Sequence, residues 1–363
     1  MRPDRIAFLK LLDRILGKVA ASLFLPSRNS KRVPSTLKQV LFIRPGGIGD
    51  AVLLLPAISE LKKVYPGAVV DVLAEKRNGS VFSLSPDVAR IWRYDNPTEL
   101  FMVIRNVYDV VIDAEQWHRL SAIVAKMTQA PLSVGYATNE RGNLFTHAIP
   151  YLQDDYEADS FLHLVEPLTG KLSIDIREPF LVIPGDLTKK VQKLLTMISA
   201  KKIVALFPGG SIRERRWGNN RFHLVARDLE KQGYAVIIIG DSSDREAGSE
   251  IAADLQNVID FCGRLSLVET AAVLKESSLL ITGDSGMMHI GFGVGIKTLS
   301  LFGPGIEKKW APRGPAHVVM NKHLPCSPCT KFGYTPRCKI NAECMKRISA
   351  EEVLEKALEM LEG

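Results

Sequence analysis

Three short segments of the sequence combine glycines with side chains that could do chemistry. The first begins with an apolar run at Val40, continues through Gly46, Gly47 and Gly49, and reaches the carboxylate of Asp50. Glycines let the chain turn tightly and let a ligand approach backbone N–H groups, and a carboxylate at such a turn can take a proton from a hydroxyl. The same carboxylate could instead cap the helix that follows, so both interpretations stay open.

The second segment is rich in arginine. It follows the apolar run 202–207 and contains Ser211, Arg213, Arg215 and Arg216. The planar fork of arginine suits phosphate oxygens, and a glycine–serine turn can form a nest of N–H groups around an anion. The segment therefore predicts a diphosphate site, with a solvated charged loop as the alternative.

The third segment opens a predicted helix. Asp284, Ser285 and Gly286 fall at its cap and first turn, where free N–H groups and the helix dipole favour phosphate. His289 lies one turn further on and could reach the same ligand, although a lone histidine is more often structural. Because a carboxylate repels a diphosphate, Asp50 and the other two segments should hold different substrates, which indicates transfer from a phosphorylated donor to an acceptor hydroxyl.

Short apolar runs alternate with helical patterns and would position these segments. The pattern predicts strands at 40–44, 69–73, 90–94, 109–113, 202–207, 235–239, 257–260, 278–282 and 297–301. It predicts helices near 50–65, 98–106, 117–128, 220–232, 244–254, 266–275, 285–293 and 349–361. Such alternation is typical of parallel sheets with helices on both faces, which bind ligands at the carboxyl ends of their strands. The expected fold class is α/β, with two Rossmann-like doubly wound domains facing a central cleft.

The domain boundaries are predicted from the same pattern and from the length of 363 residues, which suits two domains. We expect a leader and linker over 1–37, an N-terminal Rossmann-like domain over 38–190, a C-terminal Rossmann-like domain over 191–348 and a final helix over 349–363. The stretch 153–201 is more irregular and should contain the junction.

The positive charge is concentrated in the leader. Residues 1–38 hold nine Lys or Arg and two Asp, a surplus equal to the whole net charge of +7, so the body offers no basic face for nucleic acid. Within residues 1–26, apolar side chains fall on one side of a helix, and Lys10, Asp13 and Arg14 fall on the other. This pattern predicts contact with an anionic membrane surface; packing on the protein's own core and a signal peptide are the alternatives.

Four motifs together resemble the ADP-heptose:lipopolysaccharide heptosyltransferases of glycosyltransferase family 9, over residues 40 to about 350. They are Gly49-Asp50-Ala51-Val52, Pro208-Gly209-Gly210-Ser211 with Arg215-Arg216-Trp217, Asp284-Ser285-Gly286-Met287-Met288-His289, and Leu301-Phe302-Gly303-Pro304. The resemblance implies a GT-B fold, in which 38–190 is the acceptor-side domain and 191–348 is the nucleotide-sugar-binding domain. It also implies inverting transfer of heptose from ADP-heptose to a lipid-linked oligosaccharide of the lipopolysaccharide core, by a cytoplasmic enzyme peripheral on the inner membrane.

The resemblance also assigns roles. It makes Asp50 the general base, sets Arg215 and Arg216 against the donor phosphates, and places Ser285, Gly286 and His289 around the diphosphate. Three residues depart from the family pattern, namely Arg215, Ser285 and Met287, which leaves the donor sugar open. Another sugar nucleotide, a sugar-nucleotide epimerase and a nucleotide-sugar-binding protein without activity are the alternatives. The sequence contains no Asp-x-Asp, so we expect no metal at the donor site and no cofactor.

Four cysteines are clustered near the C-terminus, in a Cys-rich loop over 326–344. Cys326, Cys329, Cys338 and Cys344 have the spacing C-x2-C-x8-C-x5-C, while Cys262 stands apart. Such a set permits a zinc or iron–sulfur site. The spacing matches no common zinc-ribbon pattern, so a structural loop in a reducing compartment is the simpler interpretation, and disulfides are not expected there.

Overall fold

The computed structural model describes residue 13 and residues 33–171, 176–196, 198, 202–331 and 334–363. The leader helix predicted over 1–26 therefore lies, except for Asp13, outside the described residues. The chain divides into two compact units between Ile176 and Arg177. In the part of the chain that the structure describes, no helix is both long and apolar enough to span a bilayer.

The first unit is built on a parallel six-stranded sheet in the order β3-β2-β1-β4-β5-β6. Its strands are β1 (Gln39–Arg44), β2 (Val69–Ala74), β3 (Arg90–Arg93), β4 (Val110–Asp113), β5 (Leu132–Tyr136) and β6 (His147–Ile149). The central strand β1 is apolar and fully buried from Val40 to Ile43, as expected for a parallel strand covered on both faces.

Helices cover this sheet. They are α1 (Ile48–Val64), α2 (Gly79–Phe82), α3 (Pro97–Arg105), α4 (Arg119–Met127) and α5 (Glu157–Thr169). Helix α1 is buried without interruption from Ala51 to Ile58, because its sequence there is apolar on every side. The loop before α1 is therefore fixed by a strand and a helix that both belong to the core.

The second unit repeats the arrangement, with the parallel order β12-β11-β10-β7-β8-β9. Its strands are β7 (Ile203–Phe207), β8 (Ala235–Ile238), β9 (Val258–Asp260), β10 (Leu279–Gly283), β11 (Lys297–Phe302) and β12 (His317–Asn321). Its helices are α6 (Gly185–Leu195), α7 (Asn219–Lys231), α8 (Arg245–Ala252), α9 (Leu267–Lys275), α10 (Gly286–Val294), α11 (Glu307–Trp310), α12 (Glu343–Lys346) and α13 (Ala350–Glu362).

The prediction of a doubly wound α/β fold is confirmed, with two differences in detail. Strands β5, β6 and β12 were not predicted: serine and glycine interrupt the apolar residues of β5, β6 has only three residues, and β12 begins and ends with a polar residue. The stretch 153–201 contains α5 and α6 and is therefore more regular than predicted, but the boundary between the two units falls within it as expected.

The unit boundary lies earlier than the predicted 190/191, which falls inside α6. The backbone N–H groups of Phe180 and Leu181 both donate to the carbonyl of Gly293, at 2.9 and 2.8 Å. Glu178 pairs with His317 at 2.7 Å. These contacts attach the segment directly after Arg177 to the second unit.

Candidate active site

The two sheets share a strand order that fixes where a ligand would bind. In doubly wound sheets, ligands bind beyond the carboxyl ends of the strands where the order reverses. This point lies between β1 and β4 in the first unit and between β7 and β10 in the second. The three segments singled out from the sequence are the loops after β1, β7 and β10.

The loop after β1 is built around glycine. Gly46 has φ +114°, a value that side chains rarely tolerate. Gly47 is the N-cap of α1 and the helix begins at Ile48, so Asp50 occupies the third helical position and not the cap. The Asp50 carboxylate is therefore free of the capping role that the sequence left open.

Asp50 instead pairs with a buried arginine. The Arg44 side chain is 2% exposed and that of Asp50 25%, and Nη2 of Arg44 donates to Oδ2 of Asp50 at 2.7 Å. Nη1 of Arg44 donates to the carbonyl of Ala114 at 2.5 Å. Burial opposes the charge on Arg44, but the carboxylates of Asp50, Glu115 and Glu157 outweigh it and raise the pKa of the guanidinium. A permanently charged group thus orients the Asp50 carboxylate.

A hydrogen-bonded chain from the β4 side supports Arg44. Gln116 accepts from Nη1 of Arg44 at 2.8 Å and donates from Nε2 to Glu157 at 2.6 Å. The hydroxyl of Tyr151 donates to the second carboxylate oxygen of Glu157 at 2.7 Å. Both Nη atoms of Arg44 therefore have partners, although its buried Nε has none among the described residues, and the Nη contacts fix the position of the guanidinium.

The arginine-rich loop after β7 has both exposed and buried side chains. Ser211, Arg213 and Arg216 are exposed, and Nε of Arg216 donates to the carbonyl of Gly210 at 2.9 Å. Trp217 is buried, and its indole N–H donates to the carbonyl of Ile348 at 2.8 Å. Trp217 therefore anchors the loop to the core, which leaves the exposed residues to meet a ligand.

Arg215 turns inward. Its Nη1 lies 2.8 Å from Oδ2 of Asp284, with 14% of the arginine and 5% of the aspartate side chain exposed. Its Nη2 donates to the hydroxyls of Thr330 and Thr335, each at 3.4 Å. Arg215 thereby joins the loops after β7 and β10 to the Cys-rich loop.

The loop after β10 presents a helix N-terminus. Ser285 is the N-cap of α10 and Gly286 its first residue, and both are partly exposed. The Ser285 hydroxyl lies 3.0 Å from that of Thr282 and, among the described residues, caps no N–H group of α10. The first-turn N–H groups therefore remain available for an anion.

His289 lies beneath this helix turn and is 4% exposed. Burial lowers its pKa to about 3, and the charge of Arg215 acts in the same direction. Its Nδ1 has no hydrogen-bond partner among the residues that the structure describes. The imidazole is therefore neutral at physiological pH and would meet a phosphate as a hydrogen-bonding group and not as a cation.

Within each unit, the structure places some predicted residues together and keeps others apart. Arg215 and Asp284 are paired, whereas Ser211, Arg213 and Arg216 point into solvent. The sequence reasoning missed six residues, namely Arg44, Gln116, Tyr151, Glu157, Thr330 and Thr335. Only Arg44 carried a signal, as a lone charge that ends an apolar run.

Comparisons with known proteins agree with this architecture. The family model of glycosyltransferase family 9 (heptosyltransferase) matches residues 98–338. Lipopolysaccharide heptosyltransferase 3 of Escherichia coli is 27% identical over 287 residues, which cover 73% of this chain and 83% of the relative. The solved structure of E. coli ADP-heptose lps heptosyltransferase II superposes with a TM-score of 0.73 at 20% identity, covering 89% of this chain and 98% of that one.

A second solved structure has the same fold. E. coli heptosyltransferase WaaC with ADP-2-deoxy-2-fluoro heptose gives a TM-score of 0.69 at 16% identity, covering 88% of this chain and 99% of that one. The family model spans most of the chain, including the loops after β7 and β10. The protein therefore belongs to glycosyltransferase family 9, the heptosyltransferases.

Proposed function

We propose that this enzyme transfers a heptose from ADP-heptose to a lipopolysaccharide core acceptor with inversion at the anomeric carbon, and that Asp50 is the general base. The observation that carries the proposal is the Asp50 carboxylate, which is fixed by buried Arg44 and still partly open to solvent at a ligand-binding strand end. The donor is proposed because WaaC, a relative in fold, is described with an ADP-heptose analogue.

The proposed step is a single displacement. Asp50 takes the proton from an acceptor hydroxyl as its oxygen bonds to the anomeric carbon, and the bond from that carbon to ADP breaks with its electron pair leaving on the diphosphate. Attack opposite the leaving group accounts for inversion. Arg44 holds the Asp50 carboxylate in a fixed orientation, which suits a group that must accept a proton from one direction.

The second unit would hold the donor. The exposed guanidinium groups of Arg213 and Arg216 and the open first turn of α10 together offer donors for the charge that grows on the departing ADP. Ser285 and neutral His289 would add hydrogen bonds there. In this proposal these groups neutralise the diphosphate in place of a divalent metal.

We also propose that the leader (1–26) contacts the inner membrane on its cytoplasmic side, where a lipid-linked acceptor would lie. The basic and apolar pattern supports this. Asp13 is buried and accepts from the N–H of Leu120 at 2.9 Å, so this polar-face residue contacts the protein. Sedimentation with anionic liposomes tests the proposal, and unchanged sedimentation after deletion of residues 1–30 would refute it.

The role of Asp50 as base is tested with Asp50→Asn, which keeps the shape of the side chain but removes the carboxylate that would accept the proton. We expect kcat to fall by about 10² to 10⁴ while ADP affinity changes by less than about threefold. Glu60→Gln is the matched control, since Glu60 is a carboxylate on the same helix that pairs with a surface lysine, Lys63. A turnover by Asp50→Asn close to that of the control would show that Asp50 is not the base.

The donor is tested by nucleoside diphosphate release from a panel of sugar nucleotides, with Kdo-containing lipid A acceptors and EDTA present. Acceptor-dependent release from ADP-heptose in EDTA is the expected result. Release from a different donor would retain the base assignment and change the sugar. Release that requires added metal would refute the proposed role of the arginine loop and helix terminus.

A further inference from the structure

The four clustered cysteines surround one small cavity in the second unit. Cys326, Cys329, Cys338 and Cys344 all line it, together with Glu214 and Pro304, and its volume is about 20 Å³. A space of that size holds one water-sized sphere. It therefore has room for a single ion.

The chain brings these thiols together through the end of β11. The N–H groups of Cys329 and Thr330 donate to the carbonyl of Pro304 at 3.1 and 2.9 Å. Cys344 lies on α12 and is buried. A Cβ at Gly303 would stand 2.7 Å from Sγ of Cys344, so the glycine keeps this wall of the cavity clear.

The loop that carries them has little structure of its own. Between Asn321 and Glu343 the described residues form no helix or strand apart from a bridge between Lys331 and Tyr334. A loop of this length inside a compact unit is uncommon and is usually functional or disordered. All five cysteines are free thiols here, so no disulfide holds this loop.

We propose that Cys326, Cys329, Cys338 and Cys344 bind one zinc or iron ion as a tetrahedral set of four thiolates, each thiol releasing its proton to solvent. Four sulfur ligands in a tetrahedron are typical of these metals. As placed, no three side chains among the described residues are grouped closely enough to hold an ion. The sulfurs would therefore draw together on binding, which a loop without regular structure allows.

The site would have a consequence for the donor loop, and this part rests on the proposed function. Thr330, next to Cys329, and Thr335 both accept hydrogen bonds from Arg215, which pairs with Asp284. Glu214, which lines the cavity, adjoins Arg215 in the chain. An ion that fixes the Cys-rich loop would therefore also fix the arginine that joins the two donor loops.

The test measures metal in untagged full-length protein purified without oxygen. We expect about one equivalent of zinc or iron without acid-labile sulfide, and loss of most of it in Cys326→Ser and Cys338→Ser, whose thiols are not fully buried. Cys262→Ala, at a cysteine outside the cluster, is the control and should keep the metal. Reconstitution with Co²⁺ should give the intense visible bands of tetrahedral thiolate coordination in wild type and control only.

Two further readouts separate this proposal from the proposed function. The cysteine variants should melt at a temperature lower by about 4 °C or more and bind ADP about tenfold more weakly. Substoichiometric metal in the wild type, sulfide, or full metal retention in both variants would overturn the site. Metal loss with unchanged ADP affinity would overturn only the proposed link between the metal site and Arg215. None of these results depends on whether Asp50 is the base.

Discussion

The buried imidazole of His289 should make the second unit less stable in mild acid. Its pKa is lowered to about 3 by burial and by Arg215, whereas the ordinary value of 6.5 applies in the unfolded chain. Between these two values the unfolded state binds a proton that the folded state does not, so stability is complete above pH 6.5 and falls as the pH is lowered.

The magnitude follows from the unfolded side chain. At pH 5 the pH lies about 1.5 below the unfolded pKa, and each unit corresponds to about 1.4 kcal/mol, so His289 removes about 2 kcal/mol of unfolding free energy relative to pH 7. This figure holds for any folded pKa well below 5. It is a large part of the stability of a typical domain.

The assay is urea unfolding of full-length wild type, His289→Gln and His323→Gln at pH 7 and pH 5. His323 is the matched control because 70% of its side chain is exposed, so its substitution should leave the pH dependence unchanged. We expect His289→Gln to lose about 2 kcal/mol less than wild type between the two pH values. Equal losses in all three proteins, or an NMR titration of folded His289 near 6.5, would refute the reasoning.

Three other substitutions test the packing around the site. Arg44→Met should lower the unfolding free energy by about 3 kcal/mol, because the partly buried Asp50 carboxylate loses its cation; an unchanged urea midpoint would contradict the pairing. Gly305→Ala should lower the unfolding free energy by about 1–3 kcal/mol and weaken ADP binding, because the new Cβ would overlap Oδ2 of Asp284. An ADP affinity equal to that of wild type by calorimetry would contradict this. Trp217→Phe should lower the unfolding free energy by about 1–2 kcal/mol, because the buried carbonyl of Ile348 would lose its indole donor. An unaltered melting temperature would contradict this prediction.

The fold was predictable because its strong signals are local. Strands such as β1 and β10 are continuous apolar runs followed by glycine, and their order in a doubly wound sheet follows from the alternation of strand and helix. β6 has three residues and lies at the edge of the sheet, where partner strands and not its own sequence decide its conformation.

The candidate site was predictable only in part, for a similar reason. Asp50 and the first turn of α10 are marked by adjacent glycines, which report a local turn. The partners of Arg215 are far away in the chain, since Thr330 and Thr335 follow it by 115 and 120 residues. Pairings at such distances depend on tertiary packing, and no spacing in one sequence encodes them.

The position of the unit boundary matters for exchanging halves between family members. Two backbone hydrogen bonds from Phe180 and Leu181 end on Gly293 in α10, whose first turn belongs to the proposed donor site. A hybrid enzyme joined at 190/191 would take Phe180 and Leu181 from one parent and the α10 carbonyl that accepts their hydrogen bonds from the other. Joined at 176/177, the hybrid would inherit the whole second unit from a single parent, so under the proposed function its sugar specificity should follow residues 177–363.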